Sequence, residues 1–257
     1  MKLEVLLSVM NLDKKLLSKM NITSKCSVIN QCGKNSFSMY KNFNIYSSNT
    51  IGLSNSRNIG LSKVSEDIIL LCDDDVIYNK DYEKIILKEF KNNPKADVII
   101  FNIDSPNRKI RINKKNKRLH FYNLLTYSSQ RIAFKRRNIS NIKFNTLFGS
   151  GAKYSNGEDS LFLVDCLNEG LSIYSSTKYI GVVNHTKSNW FNGYDYKYFF
   201  DKGALFTAIN KRIRHILMLQ YLLRHKELFT NIKFFKAYGI MLKGSKEYLG
   251  EVYEWFN

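Results

Sequence analysis

The chain has 257 residues, enough for one full hydrophobic core with an extension, and its hydrophobic fraction of 44% and aromatic fraction of 14% exclude a disordered segment. The formal net charge of +18 is unevenly placed: residues 105–157 hold thirteen Lys or Arg and no Asp or Glu, so the surface they form faces an anionic partner. No window approaches the roughly 18 to 20 uninterrupted apolar residues of a membrane span.

Leu3 to Met10 reads as a first strand; the segment is apolar, but Glu4 interrupts it and it is too short for a signal peptide. Leu12 to Met20 has the spacing of a short helix. Cys26 to Ile29 reads as a second strand, ending in a polar loop of Asn30, Gln31, Cys32 and Gly33, and Phe43 to Tyr46 as a third. Within G-L-S-N-S-R-N-I-G-L, Gly52 to Leu61, a helix starts near Ser54 or Asn55. Arg57 in that segment is also placed to pair with Glu66 or Asp67 on the surface.

Ile68 to Cys72 is a continuous apolar run, as in strands buried on both faces of a parallel sheet. It runs into three consecutive carboxylates, Asp73, Asp74 and Asp75. In open α/β sheets the ligand crevice lies at the carboxyl ends of the strands. Adjacent carboxylates repel one another, so this triplet either holds a divalent cation such as Mn²⁺ or Mg²⁺ or forms a solvated acidic turn.

Lys80 to Phe90 is amphipathic at helical spacing, closed by Asn92, Asn93 and Pro94, and Asp97 to Ile103 is the next strand. This alternation predicts βαβ units and a mostly parallel sheet flanked by helices. Residues 105–143 break the pattern, with weak strand signals at Lys109 to Ile112 and Leu119 to Tyr122. Order returns at F-G-S-G-A-K-Y-S-N-G-E-D-S-L-F-L, Phe148 to Leu163, where three glycines precede Glu158 and Asp159 and a helix runs to about Gly170. Acids in a first helical turn also arise simply by complementing the helix dipole. Ile173 to Tyr174 and Tyr179 to Val183 read as strands, the latter ending at Asn184 and His185. The four cysteines, Cys26, Cys32, Cys72 and Cys166, lack C-x-x-C spacing, which argues against zinc and for reduced thiols in the cytoplasm.

The remainder is aromatic and helical. Lys211 to Lys226 presents a broad apolar face bordered by Lys and Arg, suited to an anionic membrane surface, to packing against the rest of the chain, or to a homodimer interface.

The order of these pieces resembles family 2 glycosyltransferases: a strand ending S-V-M-N at Asn11, then G-L-S-N-S-R-N-I-G-L, I-I-L-L-C-D-D-D, G-E-D-S-L-F-L, and a strand ending V-N-H. The likeness spans roughly residues 3–190, and F-F-D-K-G-A-L-F, Phe199 to Phe206, resembles the tail of bacterial capsule and lipooligosaccharide members. The resemblance implies a GT-A (Rossmann-like) α/β fold over 1–190, with a nucleotide-binding half at 1–104, an acceptor-binding half at 105–190 and a helical C-terminal extension at 191–257. It implies a nucleoside-diphosphate sugar, a divalent cation (Mn²⁺ or Mg²⁺) and inversion at the anomeric carbon.

Carried over by position, Asp73 and Asp75 match the D-x-D acids that meet ribose and metal, with Asp74 between them, and His185 matches a histidine that completes the coordination. Asn11, Arg57 and Asn58 fall on the nucleotide pocket. Asp159, beside Glu158, matches the catalytic base. Many relatives carry an aspartate that reads uracil at the end of strand two; here the loop offers Asn30 and Gln31, whose amides can pair with a pyrimidine edge.

The chemistry fits these residue types. A departing diphosphate develops charge that a carboxylate-bound metal stabilises, and the attacking hydroxyl needs a carboxylate to take its proton. The expected activity is transfer from a UDP-sugar to a bacterial surface glycan or lipid-linked acceptor, an anionic one given the basic stretch, at the inner face of the membrane. The alternatives are a nucleotidyltransferase on a similar sheet or a basic nucleic-acid-binding protein; the acid triplet and the lack of a nucleic-acid motif argue against a nucleic-acid partner.

Overall fold

A computed structural model describes residues 1–106, 110–184, 193–225, 229 and 232–254, the last four of them as backbone only. The first half alternates strand and helix: β1 (Leu3–Met10), α1 (Lys14–Lys19), β2 (Lys25–Gln31), β3 (Ser36–Tyr40), β4 (Phe43–Ser48), α2 (Leu53–Leu61), β5 (Ile68–Cys72), β6 (Val76–Tyr78), α3 (Tyr82–Asn92) and β7 (Val98–Asp104). The second half comprises β8 (Lys117–Arg118), α4 (Phe121–Leu124), a 3-10 turn (Ser129–Arg131), β9 (Ile132–Lys135), α5 (Glu158–Asn168) and β10 (Ile173–Val183). It ends in three helices, α6 (Tyr196–Ile209), α7 (Arg214–Arg224) and α8 (Phe234–Glu254).

One 10-stranded sheet runs in the order β3-β4-β2-β1-β5-β9-β7-β10-β6, with β8 pairing on β10. Strands β4, β2, β1, β5, β7 and β10 point one way; β3, β6, β8 and β9 run against them. The predicted mostly parallel α/β core is therefore present, with antiparallel strands at its edges and one in its middle. Leu17 of α1 and Tyr82, Ile86 and Phe90 of α3 cover one face of the sheet. The other face packs against Phe162, Leu163 and Cys166 of α5 and the segment through Leu119, Tyr127 and Phe144. Cys26, Cys72 and Cys166 are buried free thiols and Cys32 is a partly exposed one.

Glu4 interrupts an otherwise apolar β1 because it is used there. Fully buried, its carboxylate accepts from Ser27 Oγ (2.7 Å) and from the backbone N–H groups of Ser65 (2.8 Å) and Glu66 (3.1 Å), which anchors the loop leading into β5.

Several expectations change. β3 and β6 are short edge strands whose runs of three to five residues carry little periodicity. β9 is an internal strand although R-I-A-F-K offers only three apolar residues between cations; all three are fully buried between β5 and β7. Ile173 to Tyr174 and Tyr179 to Val183 are one strand, β10, because its register shifts between Ser175 and Tyr179 and again before Val182 absorb the polar stretch between them. Residues 110–112 form no strand, and the signal at Leu119 to Tyr122 falls just after β8 and runs into the start of α4.

The C-terminal helices form a third apolar cluster with Leu161 and Val164 of α5 and with Phe148 and Tyr154. Here α6 crosses α8 at backbone distance. A Cβ on Gly203 would overlap the Met241 carbonyl, and one on Gly244 would overlap the Phe200 carbonyl. Among the described residues no helix is long and apolar enough to cross a membrane. Gly203→Ala should lose about 1–3 kcal/mol in urea unfolding followed by circular dichroism, because the helices must separate. Gly250→Ala, on the open side of α8, should lose nothing.

Candidate active site

The charged centre of the molecule is Arg57, which α2 carries on its buried face and which is 2% exposed. α2 lies tightly on β1: Ser56 Oγ donates to Ser8 Oγ at 3.0 Å, and the Gly60 backbone packs against the Leu6 side chain. The Arg57 guanidinium donates from Nη1 to Asp159 Oδ1 (2.7 Å) and Glu158 Oε1 (3.3 Å), and from Nη2 to Asp73 Oδ1 (3.0 Å) and Ser129 Oγ (2.6 Å). Its plane lies 5.2 Å from the Phe144 ring centroid. Ser129 closes the arrangement, donating its N–H to Asp159 Oδ2 (2.9 Å) and its Oγ–H to Asp73 Oδ2 (3.1 Å). The strand-end acid and the helix-start acid are thus held by the same two residues, Arg57 and Ser129. The surface pairing of Arg57 with Glu66 or Asp67 does not occur.

Loop geometry aims these groups. Asp73 follows β5 at its carboxyl end. Glu158 and Asp159 open α5 after Gly157, whose φ of +108° is the left-handed region and whose missing Cβ leaves room for Leu205. The F-F-D-K-G-A-L-F segment on α6 fixes this same loop. Buried Asp201 accepts from Ser155 N–H (2.9 Å) and Oγ (2.7 Å), and Lys202 Nζ donates to Asn156 Oδ1 (3.1 Å).

The electrostatics follow from burial. Desolvation, then the charges of Asp73 and Asp74, pushes Asp75 up to about 7, and the same causes raise Asp74. Burial pushes Asp159 up to about 7 against the pull of Arg57, with Glu158 and Asp73 adding to the rise. Burial alone would lower Arg57, but Asp159, Asp73 and Glu158 together raise it above its ordinary value. Burial lowers Lys202 to about 8 beside Glu158 and Asp201.

Crowded acids that resist ionisation are a chemistry that a divalent cation relieves, and the oxygen donor set suits Mn²⁺ or Mg²⁺. Asp73 already engages both oxygens with Arg57 and Ser129. Among the described residues, no three His, Cys, Asp or Glu side chains converge as a ready metal site. His185 lies outside the described residues; Asn184 before it donates its N–H to the Asp75 carbonyl at 2.9 Å.

Asp73 and Asp74 line a cleft of about 270 Å³ at the carboxyl edge of β1, β2 and β5, together with Ser8, Gln31, Gly52 and Gly151. Gln31 Oε1 accepts the Gly52 N–H at 2.8 Å and so also holds the start of α2. Asn30 Oδ1 accepts from Leu12 N–H (2.9 Å), and exposed Asn11, at φ +50°, donates its N–H to the Gln31 carbonyl (3.2 Å). Asn58 turns away from the cleft: it clasps Phe144, donating to its carbonyl and accepting its N–H, both at 2.8 Å. The sequence reading missed Ser129, which follows Y-S in an irregular basic stretch with no motif around it. It also missed the lining roles of Gly52 and Gly151, whose only signal was the glycine itself.

Residues 29–154 match the family described as Glycosyl transferase family 2. This stretch, just under half of the chain, is similar to a family 2 glycosyltransferase domain. No curated protein matches it in sequence. Among solved structures, the fold resembles that of S. aureus TarS 1-349 in complex with UDP-GlcNAc, with a TM-score of 0.63, 15% identity, and coverage of 88% of this chain and 73% of that one. It also resembles the mannosyltransferase PcManGT from Pyrobaculum calidifontis, solved with GDP-Man and Mn²⁺, at a TM-score of 0.56 and 12% identity, covering 98% and 75% of the two chains. In this chain Asp73 and Asp74 of the D-D-D triplet stand at the cleft, and Arg57 joins Asp73 to the G-E-D segment behind it.

Replacing Arg57 with Met should leave Asp73, Glu158 and Asp159 packed without their shared cation, at a cost of about 3–5 kcal/mol in urea unfolding. Arg57→Lys should recover only part of this, because a single ammonium cannot span acceptors on two sides.

Proposed function

We propose that the chain transfers a sugar from a nucleoside-diphosphate sugar, with UDP as the carrier, to a hydroxyl of a glycan or lipid-linked acceptor, inverting the anomeric carbon. The observation that carries this reading is the shared grip of Arg57 and Ser129 on Asp73 and Asp159. It joins the acid at the donor cleft to an acid fit to act as base.

The diphosphate lies in the cleft against the wall formed by Gly52 and Gly151, whose backbones pack together and allow close approach, and the base and ribose meet Asn11, Asn30, Gln31 and Asp73. Asp75, with Asp73 and His185, would hold a divalent cation, Mn²⁺ or Mg²⁺, which would supply Lewis-acid stabilisation of the departing diphosphate. Asp159 takes the proton of the attacking acceptor hydroxyl, and Arg57 and Ser129 fix both of its oxygens so that the carboxylate does not rotate. Glu158 shares Arg57 and positions Asp159. The division of labour largely follows the chain: residues 1–104 bind most of the donor, 105–190 bind the acceptor but also lend Gly151 and His185 to the donor side, and 191–257 support the loop that carries Asp159.

Calorimetric titration of UDP, GDP and CDP, with and without Mn²⁺, tests the donor class. One nucleotide should bind in a metal-dependent way, and Asp75→Asn should abolish that dependence; no binding of any nucleotide would remove the reading. Asp159→Asn should keep nucleotide affinity while turnover drops by ~10²–10⁴. Because Asp159 is raised to about 7, its carboxyl is protonated and idle below that pH. The kcat/KM profile should therefore fall about tenfold per pH unit below 7 and level off above it.

Peripheral attachment at the cytoplasmic face is supported by α7, which buries Leu217, Met218 and Leu222 but leaves Ile216, Leu219 and Leu223 exposed between basic residues. Leu219→Glu should abolish cosedimentation with phosphatidylglycerol vesicles. If it instead splits a dimer in sedimentation velocity and vesicle binding persists, the stripe is a subunit interface.

A further inference from the structure

The basic stretch that no motif interprets folds into a built pocket. A cavity of about 360 Å³, in the size range of ligand sites, lies over β7 and β10 and is lined by Arg111, Asn113, Lys114, Lys115, Lys117 and Tyr127. Its loop has no regular secondary structure, yet it is pinned throughout. Buried Asn113 exchanges backbone bonds with the Asn102 amide (2.8 and 3.0 Å) and donates its own amide to the Ile100 (2.9 Å) and Ser176 (3.2 Å) carbonyls. It also accepts the Tyr127 hydroxyl at 2.7 Å. Ser175 Oγ donates to the Lys115 (2.9 Å) and Lys117 (3.3 Å) carbonyls, and Asn116 accepts the Thr177 N–H at 2.8 Å.

A loop held this firmly presents its cations without paying ordering entropy on binding. Behind it lies Arg131, 1% exposed, which donates to the Arg111 carbonyl (2.5 Å) and rests over the Tyr127 ring (4.8 Å) with Arg111 (4.9 Å). Arg131 Nε is buried and makes no hydrogen bond. Among the described residues none of Arg111, Lys114, Lys115, Lys117 or Arg131 makes an ion pair with a carboxylate. Burial lowers Arg131 to about 10, with the Arg111 charge adding to the fall. Five cations with no counter-charge on a preorganised scaffold are arranged for an anion.

Its place relative to the chemistry is set by the 3-10 turn. Ser129 at one end binds Asp73 and Asp159, and Arg131 at the other end backs the pocket; two residues span at most ~7 Å of chain. We propose that this pocket binds a phosphate group carried by the acceptor, which places the acceptor's hydroxyl toward Asp159. The inference rests on the transferase reading above for its role, but not for its binding.

The test is calorimetric titration of glycerol phosphate, a weakly chelating phosphate monoester, into the full chain with Mn²⁺ present at low ionic strength, alone and with excess UDP. It is repeated on the combined Lys114→Gln, Lys115→Gln, Lys117→Gln variant, whose exposed side chains do not support the fold. The expected result is saturable binding that persists with UDP and weakens at least about tenfold in the variant, while UDP affinity is unchanged. Binding that UDP displaces, or that the variant retains, would overturn the proposal. So would a variant that loses only phosphatidylglycerol vesicles and not glycerol phosphate, because the loop would then be reading a lipid surface. Failure of UDP to bind at all, with the loop-dependent phosphate site intact, would count against the transferase reading alone.

Discussion

A guanidinium buried to 2% exposure is tolerable only if carboxylates come to it, and that requirement organises this molecule. Arg57 draws Asp73 from the end of β5 and Glu158 and Asp159 from the start of α5, a hundred residues later in the chain. The third contributor, Ser129, arrives by an unexpected route. β9 runs antiparallel between β5 and β7, so its first residue lies toward their carboxyl ends. The turn immediately before it is thereby delivered to the edge where Asp73 stands. A parallel strand in that place would have presented its other end.

Charge is then partitioned over short distances. The site floor holds Asp73, Asp74, Asp75, Glu158 and Asp159 against Arg57, in a chain whose formal net charge is +18. The basic loop from Arg111 to Lys117 stands on the other side of the Ser129–Arg131 turn. Nothing pulls the two together, because each is fixed by hydrogen bonds of its own. Arg57 and Ser129 hold the acids, and Asn113 with Ser175 holds the cations. Opposite charges kept apart in this way suit two ligand groups of opposite demand, a cation with its diphosphate on one side and an anionic substituent on the other.

The C-terminal helices are part of this support. Asp201, Lys202, Gly203 and Leu205 each touch either the loop from Ser155 to Gly157 or α8, so α6 sets where α5 begins and hence where Asp159 points. Lys202 adds a buried positive charge beside Glu158. The extension thus acts on the site through geometry, at a loop whose backbone needs a left-handed glycine, Gly157.

The buried strand Ile68 to Cys72, its terminal acids, the amphipathic α3, the helix opening at G-E-D and the helical tail could all be read from residue order. Local physics decides them: apolar runs choose strands, 3.6-residue spacing chooses helices, and adjacent carboxylates announce themselves. β9, Ser129 and the pinned basic loop were illegible, because short polar-flanked segments carry no period and their structure comes from partners far along the chain. The sequence by itself determined which side chains were available for cation, proton and anion chemistry. Only the tertiary structure decided which of them meet, since the desolvation of Arg57 and the single Asn113 anchor act between segments that share no local pattern.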